Sequence, residues 1–519
     1  MEYLKIGRAK ELQGGDYRLY RYLEIFPAFL SWATLLVLII FSYFQPIYVA
    51  FFIIAFDVYW LLLVLYLGIH LAVSYTRMKK NLKVDWLKAC VDLGEIDLKT
   101  KTTTKKVDWN DLIQMVIFPV SSEGYDIIQP SFQAIVDSAY PLKNMIMVLA
   151  AEERGGDEVL KNAKKIEAEY GSMCKEFILT VHPDGLADEM KGKGANQAWA
   201  AKIVREKLDL EKEIDQELIL VSVFDIDTII YPQYFHCLAH TFLTVDEPYR
   251  ASYQPVPVYH NNVWQAPFFA RVAASSNTFW QMMQQIRQEK LATYSSHSMT
   301  WQALIDVDFW SKTMVSEDSR IFWHCFCYYK GDYRVEPLNY HVSMDVTMDT
   351  SFAQTAKTLY SQQRRWGWGV ENLPYLIFNT IKMWGHIPRS KFINRIIVQL
   401  YGFHSWATNA IIIGFIGWLP MLIGGDKFNS SVLSTNLPFV TRSLMMLAMS
   451  GLVFSAILST ILLPKPPKKY GFLKYSLMLL QWITLPVSII IFGSIPGLEA
   501  QTRLALKKPL GFMVTPKSR

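Results

Sequence analysis

Cysteine and charge are both scarce in this chain of 519 residues. Its five cysteines are too few and too scattered to build a disulfide framework, so a reducing compartment is expected. Charged residues make up only 19% and apolar residues 51%, a balance that excludes a disordered or fibrous protein. Lys and Arg exceed Asp and Glu by enough to leave a net charge of +6. That mild excess lacks the concentrated basic face a nucleic-acid footprint needs, so no nucleic-acid partner is expected. The sequence also lacks any short-period repeat and any low-complexity tract.

The scarcity of charge is uneven. From Ile25 to Val73 there is no Lys, Arg or Glu, and the single Asp is Asp57. Gln45-Pro46 divides the stretch into about 25–44 and 47–73, each long enough to cross a hydrocarbon core at ~20 residues per helix. Lys5, Arg8, Lys10, Arg18 and Arg21 precede the pair, and Arg77, Lys79, Lys80 and Lys83 follow it. The positive-inside rule then predicts a hairpin with both ends in the cytoplasm, within a plasma or inner membrane. A signal peptide is not expected, because the apolar run starts late and is too long. Asp57 is expected to make a polar contact between neighbouring helices.

Apolar runs return at about 397–422, 438–463 and 473–494. Lys465, Lys468 and Lys469 mark a cytoplasmic side between the second and third. If the third crossed fully, Arg503, Lys507, Lys508, Lys517 and Arg519 would lie outside, against the charge rule. Pro486 interrupts that run, so a re-entrant or bent helix is the alternative, and the side of the tail stays open. Residues 382–395 mix Lys382, Arg389, Lys391 and Arg395 with Trp384, Ile387 and Phe392, which suits a helix lying in the interface plane. The expected layout is a cytoplasmic segment 1–24, a transmembrane hairpin 25–75, a soluble domain 107–370, an interfacial region 371–396, a transmembrane block 397–495 and a basic tail 496–519.

Between the apolar blocks, short apolar runs alternate with helical patterns. Leu112–Val120 precedes 130–139, Met145–Ala150 precedes 157–169, Phe177–Val181 precedes 195–208, and Leu218–Phe224 precedes 228–242. Such alternation predicts a mostly parallel sheet covered by helices on both faces. Ligands in sheets of this kind bind beyond the carboxyl ends of the strands.

One such end is Asp225-Ile226-Asp227. Two carboxylates at i and i+2 can bring hard oxygen ligands to one Mg²⁺ or Mn²⁺, which in turn would bridge a diphosphate. Asp306-Val307-Asp308 has the same spacing but no preceding apolar strand, and is expected to be solvated. Neither is a calcium hand, since no Gly stands at the sixth position from Asp225 and the twelfth is His236. Lys191-Gly-Lys-Gly-Ala-Asn196 opens a helical pattern, where glycine lets the backbone approach an anion and Lys193 adds a cation. The Walker spacing is absent. Glu317-Asp318 after Ser316 reads either as a helix cap or as a general base for an acceptor hydroxyl. Gln362-Gln-Arg-Arg-Trp366 offers guanidiniums for phosphate and an indole for a sugar face, or else a basic stretch at a membrane surface. His324-Cys-Phe-Cys327 does not have zinc-ligand spacing and reads as packing.

In chain order these motifs are a strand-terminal DxD (Asp225, Asp227), an ED pair (Glu317, Asp318) and a QxxRW (Gln362, Arg365, Trp366). That order, between two apolar blocks, resembles the membrane-integrated family 2 glycosyltransferases, the group that includes cellulose, hyaluronan and chitin synthases. Val514-Thr-Pro-Lys517 also resembles tails of that group. The resemblance implies a cytoplasmic GT-A domain and inverting transfer of a sugar from a nucleotide sugar, a UDP-sugar, to a growing polysaccharide. It implies a divalent metal on Asp225 and Asp227, and Asp318 as base with Glu317 beside it. It places Gln362, Arg365 and Lys193 at the donor, and Trp366 and Ser316 at the acceptor. Glu123, Glu152 and Glu153 stand where the family's first two strands end, and are assigned to the nucleotide. This chain departs there, with Ser121-Ser122-Glu123 for an Asn-Glu pair and Glu152-Glu153-Arg154 for an acidic pair followed by Gly or Ser. Three alternatives stand beside this reading: a single-sugar transferase to a polyprenyl phosphate or ceramide, a transporter with a nucleotide-sensing domain, and a non-catalytic partner subunit.

Overall fold

Six strands of the central sheet run in one direction, and this brings the motifs together. The computed structural model describes residues 2–210, 213–468 and 470–511. A small hairpin, β1 (Ile96–Lys99) and β2 (Thr104–Val107), precedes the main sheet. The main strands are β3 (Ile113–Val120), β4 (Met145–Glu152), β5 (Glu176–His182), β6 (Ile219–Val223), β7 (Ile229–Ile230), β8 (Ala251–Val258), β9 (His297–Thr300) and β10 (Arg334–Ser343). Their order is β5-β4-β3-β6-β9-β8-β10-β7. β5, β4, β3 and β6 pair in parallel, β9 runs antiparallel to both β6 and β8, and β8 and β10 are parallel. The carboxyl ends of β3, β4, β5, β6, β8 and β10 therefore lie on one edge, joined by the start of β9.

The helices follow the apolar spacing. In chain order they are α1 (Gly14–Phe44), α2 (Pro46–Asn81), α3 (Trp86–Leu93), α4 (Tyr125–Val136), α5 (Gly156–Tyr170), α6 (Lys193–Leu210), α7 (Tyr234–Thr244), α8 (Phe268–Ile286), α9 (Trp301–Asp306), α10 (Glu317–Tyr328), α11 (Phe352–Gly367), α12 (Asn372–Lys382) and α13 (Arg389–Gly414). After the short α14 (Leu419–Ile423) and α15 (Gly425–Asn429) come α16 (Val432–Leu462), α17 (Phe472–Leu480), α18 (Leu485–Ile489) and α19 (Ile495–Ala505). β4 is buried throughout, as a strand covered on both faces must be. One core face joins Met115, Ile117, Val148 and Val221 to α6 and α10, and the other joins Val116, Phe118 and Leu149 to α4, α5 and α7. This is the α/β GT-A architecture, set between N- and C-terminal blocks of apolar helices.

Five segments are long and apolar enough to cross a membrane: α1, α2, α13, α16 and the composite Phe472–Ala505. The fifth is not one helix. A 3₁₀ turn at Gln481–Thr484 and a π segment at Ile490–Ser494 break it, with Pro486 between them. Its start meets the catalytic domain, where Trp264 packs on Tyr470 and Tyr475. Its middle stacks Phe492 on Phe269. Its end runs back along α13, with Gln501 Nε2 donating to the Phe403 carbonyl at 2.9 Å, and closes on α1. There Arg21 donates to the Leu504 and Ala505 carbonyls and Lys507 Nζ to Tyr17 Oη at 2.8 Å. The end of the segment, with Arg503, Lys507 and Lys508, therefore lies at the start of α1.

Two expectations change. The stretch from 496 is helical to Ala505 rather than a free tail; Lys517, Arg519 and the Val514–Lys517 motif lie outside the described residues. No single interfacial helix spans 382–395, because α12 ends at Lys382 and α13 starts at Arg389 and continues as an apolar span. In the segment before α1, Leu4, Ile6 and Ala9 are buried in the main core. Asp57 is 4% exposed, buried among the helices.

Candidate active site

Asp225 and Asp227 sit just past β6, on the shared edge. Three neighbours from other strand ends hold them. Ser295, just before β9, donates its hydroxyl to Asp225 Oδ2 at 2.5 Å. Asn261, beyond β8, donates from Nδ2 to the Asp227 carbonyl and to Asp345 Oδ1, both at 2.8 Å. The backbone N–H of Asp345, beyond β10, donates to Asp227 Oδ2 at 3.0 Å. Asp227 is 3% and Asp345 8% exposed. Burial of two carboxylates side by side is costly without such donors.

Lys193, the first residue of α6, joins this pair to the ED motif. Its ammonium lies 2.7 Å from Asp225 Oδ1 and 2.9 Å from Asp318 Oδ2. Burial alone would lower this amine, but Asp225, Asp318 and Glu317 outweigh it and hold the ammonium well above the ordinary lysine range. Asn196 Nδ2 donates to the Ala150 carbonyl at 2.7 Å and pins the start of α6 to β4. Gly194 leaves no room for a side chain, since a Cβ there would meet the Ser311 carbonyl at 2.7 Å and Glu317 Cβ at 3.0 Å. Asp318 therefore does more than cap α10.

Glu317 is buried, and its carboxyl is pushed upward, first by burial and then by Asp318, against Lys193 and Arg365. Its place between a carboxylate and two cations explains why both members of the pair face inward. Gln362, Arg365 and Trp366 follow helical spacing i, i+3, i+4 and share one face of α11. Gln362 Oε1 accepts from Thr347 Oγ1 at 2.7 Å, just beyond β10. Trp366 is half-buried. Arg364, between them, turns away to Glu499 at 2.7 Å.

The three remaining acidic residues reach the same edge but are engaged within the protein. Glu123 Oε2 accepts from the Ser121 and Ser122 N–H groups at 2.8 and 2.9 Å. Glu152 is paired with Arg154, and Glu153 accepts from the Asp184 N–H at 3.0 Å. Beside them a small cleft of about 50 Å³ is lined by Glu152, Arg154, His182, Asp184, Lys191 and Gly192. The hydroxyl of Ser316 is turned to Glu371 at 2.7 Å.

The second DxD differs from its expectation at Asp306 only, since Asp308 is exposed. Asp306, at the end of α9, is not solvated: it accepts from Lys101 at 2.9 Å, Gln302 at 2.8 Å and Tyr329 Oη at 2.8 Å. Asp308 pairs with Lys5 at 2.7 Å. These contacts tie α9 to α10 and to the N-terminal segment. His324, Cys325 and Cys327 are buried packing residues.

Sequence reading missed Ser295, Asn261, Asp345 and Glu371. None stands in a motif, and each reaches the site only because its strand or helix ends there. The position of Ser295 and Asn261 next to strand ends was the only signal.

The sequence pattern of the family described as glycosyl transferase family group 2 matches residues 220–493, more than half of the chain, and the chain belongs to that family. It is a glycosyltransferase. The match begins inside β6 and so includes Asp225, Asp318 and Trp366 but not β3 to β5. Among solved structures, the chain is similar to a mannosyltransferase, PcManGT, from Pyrobaculum calidifontis in complex with GDP-Man and Mn²⁺. That likeness has 14% identity and a TM-score of 0.42, over 78% of this chain and 98% of that one. It is also similar to residues 1–349 of TarS from S. aureus in complex with UDP-GlcNAc, at 11% identity and a TM-score of 0.30, over 67% and 91%. No curated protein matches the chain significantly.

Proposed function

We propose that the protein is an inverting transferase, integral to the membrane, that moves a sugar from a UDP-sugar to a growing polysaccharide at the cytoplasmic face. The observation that carries this reading is the Lys193 bridge, which joins Asp225 to Asp318 across 93 residues of chain. A strand-end carboxylate pair and a candidate base thus share one centre, with the Gln362–Trp366 face on the helix beyond.

The donor set suits a hard divalent ion: Asp225 and Asp227 offer carboxylate oxygens, and no sulfur is near. Among the described residues no group of three or more acidic, His or Cys side chains is arranged around a metal. The protein would therefore supply two ligands, and diphosphate and water the rest. A bound Mg²⁺ or Mn²⁺ there would neutralise the charge that develops on the leaving diphosphate. Asp318, 2.9 Å from the Lys193 ammonium, would take the proton of the acceptor hydroxyl as its oxygen bonds to the anomeric carbon. The bond from that carbon to the diphosphate breaks on the opposite face, which inverts the configuration. The Lys193 ammonium, within 3.0 Å of both Asp318 oxygens, holds that carboxylate in place, with Glu317 buried beside it. Trp366 offers an aromatic face to the acceptor sugar, with Ser316 at the base of that wall, while Gln362 and Arg365 lie toward the phosphates. Glu123, Glu152 and Glu153 form the rim on which the nucleotide would sit, exchanging their present hydrogen bonds for it.

The QxxRW face favours a polysaccharide over a lipid acceptor. Purified protein given radiolabelled UDP-sugars with Mg²⁺ or Mn²⁺ tests this: high-mass labelled polymer is expected. Label extracted into organic solvent would identify the single-sugar lipid transferase instead, and absence of transfer with every donor and either metal would identify a partner subunit.

A further inference from the structure

Ser316 stands at the N-cap of α10, where a serine hydroxyl ordinarily accepts from the first-turn N–H groups. Here it makes no such cap. Its hydroxyl donates instead to Glu371 Oε1 at 2.7 Å, and its own N–H donates to the same oxygen at 3.2 Å. The other oxygen of Glu371 accepts from Trp368 Nε1 at 2.9 Å. The backbone carbonyl of Glu371 accepts from Arg320 Nη2 at 3.2 Å, and Arg320 Nε donates to Asn372 Oδ1 at 2.7 Å. Glu371 is 3% exposed, and burial raises its carboxyl against the pull of Arg320. A buried carboxylate with all its partners on two elements ties those elements together.

Those two elements carry the two halves of the site. Ser316 and Arg320 flank Glu317 and Asp318 on α10. Trp368 and Glu371 lie on the 3₁₀ turn that continues α11, within five residues of Trp366. We infer that Glu371 is a positioning residue that sets the separation between the proton-accepting Asp318 and the acceptor platform of Trp366. The clamp trades the helix cap of α10 for a fixed register against α11. This inference rests on the proposed roles of Asp318 and Trp366.

The test uses the purified full-length enzyme. Glu371→Gln keeps the shape but turns an amide NH₂ toward one of the two donors, Ser316 or Trp368. Turnover is expected to fall by about 10- to 100-fold, the cost of misplacing reacting groups by about an ångström. Acceptor KM should rise more than donor KM, because most of the donor side is held by strand ends outside the clamp. Adding Ser316→Ala to Glu371→Gln should lower turnover no further, since both changes open the same clamp. A merely structural Glu371 would lower the melting temperature and the folded fraction, leaving turnover per folded enzyme unchanged, and that result overturns the inference. If Glu371→Gln does not fold, Ser316→Ala and Trp368→Phe carry the test, each expected to lose turnover at near wild-type melting temperature; normal turnover in both overturns it. Asp318→Asn separates the two layers. Normal turnover in Asp318→Asn removes the base reading and the clamp's purpose together, whereas an inactive Asp318→Asn beside a fully active Glu371→Gln removes the clamp alone.

Discussion

At the scale of single residues, the chemistry depends on whether a carboxylate is shared or merely solvated. Asp318 shares Lys193 with Asp225, so Asp318→Asn should remove the proton acceptor while leaving the backbone unchanged. Turnover is expected to fall by ~10²–10⁴-fold with UDP affinity preserved, measured as UDP release alongside donor titration. Equal loss of donor affinity would assign Asp318 to binding instead. Asp227→Ala should abolish UDP release in either metal, because the buried Asp345 N–H loses its acceptor and a divalent ion held there would lose a ligand. Asp306→Ala is the instructive contrast. It shares the spacing of the first pair, but its partners are Tyr329, Lys101 and Gln302, so it should lower the melting temperature and leave turnover per folded molecule near wild type.

At the scale of elements, α11 matters because three functional side chains share one face and a glycine lies on the other. A Cβ at Gly367 would meet Gly497 Cα of α19 at 3.1 Å and Ala500 Cβ at 3.3 Å. Two helix backbones cannot yield as a flexible side chain can, so Gly367→Ala should cost about 1–3 kcal/mol of stability and tilt α11. Turnover should drop with it as Gln362, Arg365 and Trp366 move. Gly385→Ala, with nothing within 4 Å of the new methyl, should be silent in both thermal melts and UDP release. Equal behaviour of the two variants would show that the α11–α19 contact does not govern the site. Glu499 reinforces the same contact by accepting from Tyr360, Arg364 and Arg503.

At the scale of the whole molecule, topology and pH response follow from where groups are buried. If α1, α2, α13 and α16 cross and the fifth segment returns, the start of α1 and the end of α19 lie on one side with the catalytic domain. A cysteine placed at Gln45 should label from outside and one at Lys507 from the cytoplasm, both positions being exposed. Labelling at Lys507 from outside would mean that the fifth segment crosses. His236 is buried between Trp109 and Tyr140, and burial lowers it to about 4; His341 falls to about 3 for the same reason. Between those values and about 6.5 the unfolded chain binds protons that the fold excludes. Stability should therefore rise with pH through that window and level off above it. His236→Phe keeps an aromatic ring in the niche and should flatten the slope by up to about 1.4 kcal/mol per pH unit, read from melts at pH 4.5 to 7. An unchanged slope would show that His236 is already protonated in the folded protein.

Local pattern alone determined β3 to β6, the helices that follow them, the apolar segments and the order of the three motifs. Strand β6 and the carboxylates after it are legible because apolar continuity and a sharp change to acidic residues are local events. Lys193 was legible as a cation on a glycine-rich helix start. Its bridge to Asp225 and Asp318 was not, since that contact spans 125 residues and exists only when six strand ends share an edge. Asp345 and Glu371 were invisible for the same reason: a lone acidic residue acquires meaning from what is packed against it. The side of the fifth apolar segment was also a tertiary decision. Hydropathy gives a length, and charge gives a preference, but a broken helix turns back only where Trp406, Phe269 and the start of α1 offer surfaces to receive it.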